Sequence, residues 1–531
     1  MVISTSGIAA TSQTLASQAA AQVLARGGSA VDAAIAANAV LSVVEPMMCG
    51  IGGDLFAIHR DSKTGQLTGI NASGPAPQAL TLEHVNFSVP RIGIHTVTVP
   101  GAVDGWSKMH ARFGKLPWSD LFAPAIYYAG HGFPVTELIQ YDWAHTVNRL
   151  EEDPAALRIF APPAVGEIFR NPDLATAYRI LSNSPREFYE GEIAAAILKT
   201  SQRSGGTLSP QDLHEFSAEW VDPISTTYRG WTVSQIPPNG QGVGTLEMLN
   251  LLENFPIPDF DPLSADAFHF KIEAHKLAFE DQRRYVADPR HADVPTARLL
   301  SKDYARERAK NIDLTASGSA PAPSSATGHT VYLSVVDREG NLVSWIESIS
   351  DLWGSGIVVD GFGFHLHSRG AAFSSDPKHL NALAPRKRPY HTIIPGFLQK
   401  DDRHIAFGIM RGLNQSQAQA QFVSNIVDHG MNIQAALEAP RFSKIILGGP
   451  EVRIESRVPA AERDELSRRG HSIEVRGDYS GYMGGGQAVL RDAKGQVNYG
   501  ASSPRKDGAA IPEPDPYWGA DFNPRGASAP L

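Results

Sequence analysis

One cysteine, Cys49, occurs in 531 residues. That single thiol excludes an internal disulfide framework and any cysteine cage for a metal, and it suits a reducing compartment. No run of about 18 uninterrupted apolar residues occurs, so no membrane-spanning helix is expected. The opening stretch MVISTSGIAATSQTLASQ lacks a charged n-region and a continuous apolar core, which makes a cytoplasmic location the expectation. Positive charge is also short: 47 Lys and Arg against 56 Asp and Glu leave a formal net charge of -9. Such a chain offers no basic face to nucleic acid or to an anionic membrane, and neither is expected as a partner.

Apolar material is plentiful, at 42% of residues, enough for one large core or two domains, and 19% charged residues mark a globular chain. Two Ala-rich stretches, Ser12 to Arg26 and Ser29 to Val44, read as helices broken at Gly27-Gly28, the second opening on a Ser29/Asp32 capping pattern. Their small apolar faces suit close packing on a sheet. The loop MCGIGGD, Met48 to Asp54, lacks G-x-G-x-x-G spacing and reads as a tight turn into the strand LFAIHR rather than a nucleotide loop. A strand is expected over Ile94 to Pro100, then helical patterns from Ala102 to about Thr200. The clearest long helix is read between Ser264 and Val286. Its His269 and His275 point about 120° apart at about 3.6 residues per turn, so they are not read as metal ligands, and no metal or cofactor is expected.

The stretch from Thr315 to Gly328 is small, polar and Pro-containing, a composition that reads as a flexible tether. At Thr330 the character changes. TVYLSVV, the turn DREGN and LVSWIES form a strand, turn, strand sequence that predicts a β-hairpin. If the bond between His329 and Thr330 is cut, Thr330 gains a free α-amino group with a pKa of roughly 7.7–8.0, able to serve as base for its own hydroxyl. After the hairpin the chain reads as strand-rich to about Phe397, with helices around Ser416 to Asp428 and Ile433 to Glu438 and strands near Gln487 to Asn498. Hairpins with helices, rather than regular βαβ repeats, indicate an α+β chain.

Together with WGSGIVV, RKRPYHTIIP and EAPRF downstream, and GGSAVDAAIAANAVLSVVEPMMCGIGGD, YRGWTVSQIPPNGQG and KLAFEDQRRYVADP upstream, HTVYLSVVDREGNLVS resembles the gamma-glutamyltransferase family of N-terminal-nucleophile hydrolases. The resemblance implies a four-layer αββα sandwich. It also implies self-cleavage into a large subunit, residues 1–329, and a small subunit, residues 330–531, which remain associated as one globular unit, with a dimer of these pairs left open. Thr330 matches the family's nucleophile, Ser348 a hydroxyl that assists it, and Arg411-Gly412 a Gly-Gly pair whose backbone N–H groups form the oxyanion hole. Arg at the first position removes conformational freedom there.

Substrate-recognition positions depart further from the family. Ser73 stands where an Arg binds the glutamyl α-carboxylate, Ala372 where an acidic residue receives the α-amino group, Ser350 where an Asn follows the second hydroxyl, and His391-Thr392 where a Ser-Ser pair lies. Missing both charged ends of that clamp disfavours glutathione, since each charge-assisted hydrogen bond contributes roughly 1.5–3 kcal/mol. Arg369 or Arg411 could instead receive an anionic acyl group, or Trp353, Phe362 and Phe364 an uncharged one. The expectation is an amide hydrolase or acyltransferase acting on a small-molecule amide through a Thr330 acyl-enzyme. A true gamma-glutamyl enzyme with a rearranged clamp, and an inactive metabolite-binding homologue, are the alternatives.

Overall fold

The computed structural model describes residues 1–151, 153–318, 328–445 and 451–515. Two seven-stranded sheets lie at its centre. Edge to edge, the first runs Ala509–Pro512, Ile8–Thr11, His329–Val336, Leu342–Ser350, Asp54–Arg60, Leu67–Ala72 and Glu219–Val221. The second runs Val2–Ser4, Val497–Ser502, Gly486–Asp492, Arg403–Ile409, Gly396–Lys400, Trp231–Gln235 and Ile224–Tyr228. Neighbours in both are antiparallel.

Side chains alternate across a strand, and that alternation sorts the core into layers. Phe56, Ile58, Tyr332, Val336, Leu342 and Ile346 of the first sheet pack with Phe397, Ala406 and Val489 of the second. The intervening Leu55, Ala57, Val331, Leu333, Val343 and Trp345 join the opposite cluster, with the helices Thr14–Ala25 and Ala30–Val44. Leu398, Ile405 and Phe407 turn out of the second sheet onto the helices Gly242–Leu252, Ala265–Tyr285 and Asn414–Val427. The order is helix, sheet, sheet, helix. No helix among the described residues is long and apolar enough to cross a membrane.

The helix Ala30–Val44 is buried at every residue and opens on a reciprocal Ser29/Asp32 capping box. The long helix Ala265–Tyr285 is capped by the Ser264 hydroxyl. Two expectations fail. Ile94 to Pro100 is not a strand: Gly93, at φ 92°, leads into a 3₁₀ turn over Ile94–Thr96, and the Val99 N–H bonds to the Pro75 carbonyl rather than to a sheet neighbour. Between the strands Leu342–Ser350 and Gly396–Lys400 there are turns, a 3₁₀ turn at Arg369–Ala372 and isolated bridges such as Val358 with His365. Glycine and proline punctuate that stretch, and residues such as Val358, 1% exposed, cover the core without entering a ladder. Thr315 to Gly318 and Gly328 are described; the rest of the expected tether, residues 319–327, lies outside the described residues.

Candidate active site

Thr330 is the second residue of the central strand His329–Val336 and is 1% exposed. The hairpin returns Ser348 and Ser350 to the same end of the sheet, with His329 opposite Ser350. Asp54, first residue of the next strand, pairs with Ser348. Directly opposed residues share a face, and the parity that sends Phe56 and Ile346 between the sheets sends Asp54 and Ser348 there too.

The carbonyl of the peptide joining His329 and Thr330 is held by a hydrogen bond. Ser348 Oγ donates to the His329 carbonyl at 2.5 Å, and the Ser350 N–H donates to Ser348 Oγ at 2.8 Å. The second bond takes a lone pair on Ser348 and leaves its single proton for the carbonyl. The resemblance places Ser348 against the Thr330 hydroxyl; here it faces the preceding carbonyl, because the register shifts between His329 and Val331 and leaves Thr330 without an opposed residue. The Thr330 hydroxyl instead accepts from Gln415 Nε2 at 3.4 Å, and Gln415 Oε1 accepts from the Ile394 N–H at 3.1 Å. Burial, and then the nearby Arg411, hold the His329 imidazole well below its usual pKa, so it is neutral.

Arg411 and Gly412 follow the strand Arg403–Ile409 with φ of 98° and 46°. Arg411 therefore keeps a glycine-type backbone course despite its side chain, a conformation that L-residues adopt at a cost. Neither of the two backbone N–H groups has an acceptor among the described residues. A Cβ on Gly412 would lie 2.5 Å from the Gly328 nitrogen, so this turn packs directly against the segment leading to Thr330. Gln241 Nε2 fixes the turn by donating to the Gly412 carbonyl at 2.8 Å.

Beside Thr330 is a cavity of about 130 Å³ whose walls include His329, Met48, Met410, Tyr141, Arg411 and Lys506. The Arg411 guanidinium lies 4.5 Å from the centre of the Tyr482 ring. Lys506 Nζ reaches Asp142 Oδ2 at 3.0 Å and Glu45 Oε2 at 3.6 Å. Burial works against the Lys506 charge, but those two carboxylates outweigh it and push its pKa up.

The remaining candidates sit off this cavity. Arg369, 1% exposed, donates from Nε to Asp54 Oδ2 at 3.1 Å and from Nη1 to Thr392 Oγ1 at 3.0 Å. It is an ion-paired arginine, not an open anion site. His391 Nε2 donates to the same Asp54 oxygen at 2.9 Å, and His367 Nδ1 lies 3.0 Å from it. Burial alone would raise the Asp54 pKa; His367, then His391, hold it far below the carboxylate range. Burial, and then Arg369, lower His391 to about 3. A Cβ on Gly328 would come 3.5 Å from Thr392 Oγ1, so Thr392 does border the segment before Thr330. Ser73 is buried, donating to Asn71 Oδ1 at 2.7 Å and accepting from Asn239 Nδ2 at 3.2 Å. Ala372 is half-buried in its 3₁₀ turn, its carbonyl accepting from Asn381. Trp353, with no exposed surface, packs on Trp143 and His365, and Phe364 on Phe188. With Phe362 they belong to the helix-side core, and none lines the Thr330 cavity.

Sequence reasoning missed Asp54, Gln415, Gln241 and Lys506. Asp54 had a signal, an acid after two glycines and directly before the apolar run Leu55 to Ile58. The two glutamines had only their place in PPNGQG and RGLNQ, and Lys506 had none, because its distance in sequence hides its place beside Thr330. In the long helix, His269 and His275 do diverge: His275 Nε2 donates to the Lys444 carbonyl, while His269 Nδ1 meets His471 Nε2 at 2.9 Å. His269, Glu273 and His471 are close enough to share a cation. Their ligand atoms are already engaged, since the two rings bond each other and Lys276 Nζ donates to Glu273 at 2.6 Å.

Two antiparallel sheets between helical layers, with Thr330 at the head of a central strand, define the class of N-terminal-nucleophile hydrolases. Within it, the chain belongs to the gamma-glutamyltranspeptidase family, whose model matches residues 16–513. It is 36% identical over 523 residues to the glutathione hydrolase-like YwrD proenzyme of Bacillus subtilis, covering 96% of this chain and 99% of that one. It is 34% identical to the oxamate amidohydrolase proenzyme of Klebsiella pneumoniae, covering 96% and 98%. Among solved structures, the cephalosporin acylase from Bacillus halodurans superposes with a TM-score of 0.90 at 42% identity, with 96% of each chain covered.

Proposed function

We propose that the chain cuts itself between His329 and Thr330 and then hydrolyses or transfers the acyl group of an amide through a Thr330 acyl-enzyme. The observation that carries this reading is the 2.5 Å hydrogen bond from Ser348 to the His329 carbonyl. It polarises the one carbonyl that the Thr330 hydroxyl must attack for the chain to be cut there. Attack by Oγ1 forms a C–O bond, the C–N bond breaks, the nitrogen takes the proton and leaves as the Thr330 α-amine, and water hydrolyses the resulting ester to free the His329 carboxyl. In the mature protein that amine receives the hydroxyl proton as Oγ1 attacks a substrate amide. The developing oxyanion then meets the uncommitted N–H groups of Arg411 and Gly412, and the proton passes to the departing amine. Water or an acceptor amine completes the cycle. Residues 1–329 and 330–531 stay together as two interleaved subunits.

The acyl donor in this reading is not a simple γ-glutamyl group. Ser73 is committed to Asn71 and Asn239, and Ala372 offers no charge, so the two clamp positions give neither an α-carboxylate nor an α-ammonium a partner, while Arg411 on the cavity wall can receive a lone carboxylate. The names of the relatives, an oxamate amidohydrolase and a cephalosporin acylase beside glutathione hydrolases, accord with a family that accepts varied acyl groups. Gel analysis and N-terminal sequencing test the first part: a small fragment beginning at Thr330 is expected, with Thr330→Ala staying full length. A fragment starting elsewhere overturns the nucleophile assignment. For the second part, kcat/KM for a glutaryl amide should exceed that for glutathione, and a clear preference for glutathione would defeat the argument from Ser73 and Ala372.

A further inference from the structure

On the outer side of the second sheet, a cavity of about 360 Å³ opens among the helices Ala265–Tyr285, Asn414–Val427 and Ile433–Glu438. Leu263, Phe268, Met431 and Pro440 make its walls largely apolar. Lys271, on the long helix, lines it and is 3% exposed. Among the described residues its ammonium has no hydrogen-bond acceptor and no ion-pair partner, although unpaired charge is costly to bury.

The neighbouring charged groups each have a hydrogen-bond partner, although Arg457 Nε has no acceptor among the described residues. Asp428 accepts from Tyr228 Oη and Arg229 Nε, both at 2.6 Å, and from Ser424 Oγ, also at 2.6 Å. Glu438 accepts from Gln434 Nε2 at 2.8 Å, and Arg457 Nη2 donates to Glu455 at 2.9 Å. Gln421 is saturated by the backbone of Phe442 and Gln417. Asn425, 6% exposed, lines the same wall with its side-chain amide uncommitted among the described residues. Burial brings the Lys271 pKa down to about 8, with Asp428 offsetting only part of the effect, so the amine is still mostly protonated at neutral pH.

We infer that this cavity is a binding site for a small apolar carboxylate, its anion paired with Lys271 and Asn425 and its hydrocarbon laid against Phe268, Leu263 and Met431. Its size falls in the roughly 300–1,000 Å³ range of small-molecule sites, and apolar walls with one or two placed polar groups are their usual make-up. Tyr479 belongs to the walls of both this cavity and the one beside Thr330, with the Arg457 guanidinium 3.8 Å from its ring centre. An occupant therefore touches a side chain that also borders the reaction chamber. The site itself does not depend on the Thr330 assignment.

Calorimetric titration with benzoate tests it. Saturable binding is expected to the wild-type protein and equally to Thr330→Ala, which separates this site from the acyl-enzyme reading. Lys271→Met should bind about tenfold or more weakly, as should wild type with the neutral benzamide, reflecting loss of a charge-assisted pair. Circular dichroism checks that Lys271→Met is folded. As a measurement on the unaltered protein, trace labelling with acetic anhydride and mass spectrometry should show Lys271 protected by benzoate. Equal affinity in Lys271→Met, no binding at millimolar benzoate, or no protection of Lys271 would each overturn the proposal.

Discussion

At the scale of single residues, the junction rests on Ser348 and Gly412. Ser348→Ala removes the donor to the His329 carbonyl while leaving the strand intact, so processing should slow on the order of 10²-fold, with Thr restoring it. Gly412→Ala acts differently: its Cβ would meet the Gly328 nitrogen at 2.5 Å, backbone against backbone, and the residue already sits at φ 46°. The turn or the scissile segment must shift, and uncut precursor should accumulate by at least about tenfold on a gel time course, even if the protein remains folded. Processing at the wild-type rate in either variant would show that the geometry at His329 is not the one being cut. Arg411 shows how far residue identity alone can mislead, for it takes a glycine-like φ of 98°, a fact about the backbone that no side chain announces.

At the scale of elements, the hairpin His329–Val336 with Leu342–Ser350 was legible because period-two alternation and the turn DREGN say the same thing. The helices Ala30–Val44 and Ala265–Tyr285 were legible from caps and apolar content. Ile94 to Pro100 misled because β-branched residues were covering a core edge rather than joining a ladder. The Asp54, His391 and Arg369 cluster was illegible as a cluster, since its members come from separate segments joined only by the fold. Strand parity has a pH consequence as well. Glu347, adjacent to Ser348, turns the other way into the helix layer, where Asn38 and the Gly50 N–H donate to it. Burial raises its pKa to about 8. Because the folded protein holds this proton more tightly than the unfolded chain, the stabilisation is full below the unfolded pKa and is lost as pH rises through about 8. Tm should therefore fall between about pH 5 and pH 9 through this group, and Glu347→Gln should flatten the fall; parallel profiles for the two proteins would count against a protonated Glu347.

At the scale of the whole molecule, both sheets draw strands from either side of the His329-Thr330 bond: Asp54–Arg60 lies beside Leu342–Ser350 in one, Trp231–Gln235 beside Gly396–Lys400 in the other. Cutting that bond removes a connection but no ladder, so the two pieces should co-purify and unfold in a single transition. The first two strands described also pair with the last two, Ile8 opposite Pro512 in one sheet and Val2 opposite Gly500 in the other. This adjacency makes the order in which the gene spells out the fold adjustable. A circular permutant starting at Thr330, bridged from the strand Ala509–Pro512 through a short connector into Val2 and ending before the original junction, would expose the threonine α-amine once its initiator methionine is removed. Such a chain should turn over substrate from the moment it folds, with no maturation lag; a folded permutant with a free Thr330 amine and no activity would mean that the amine is not what the cut supplies.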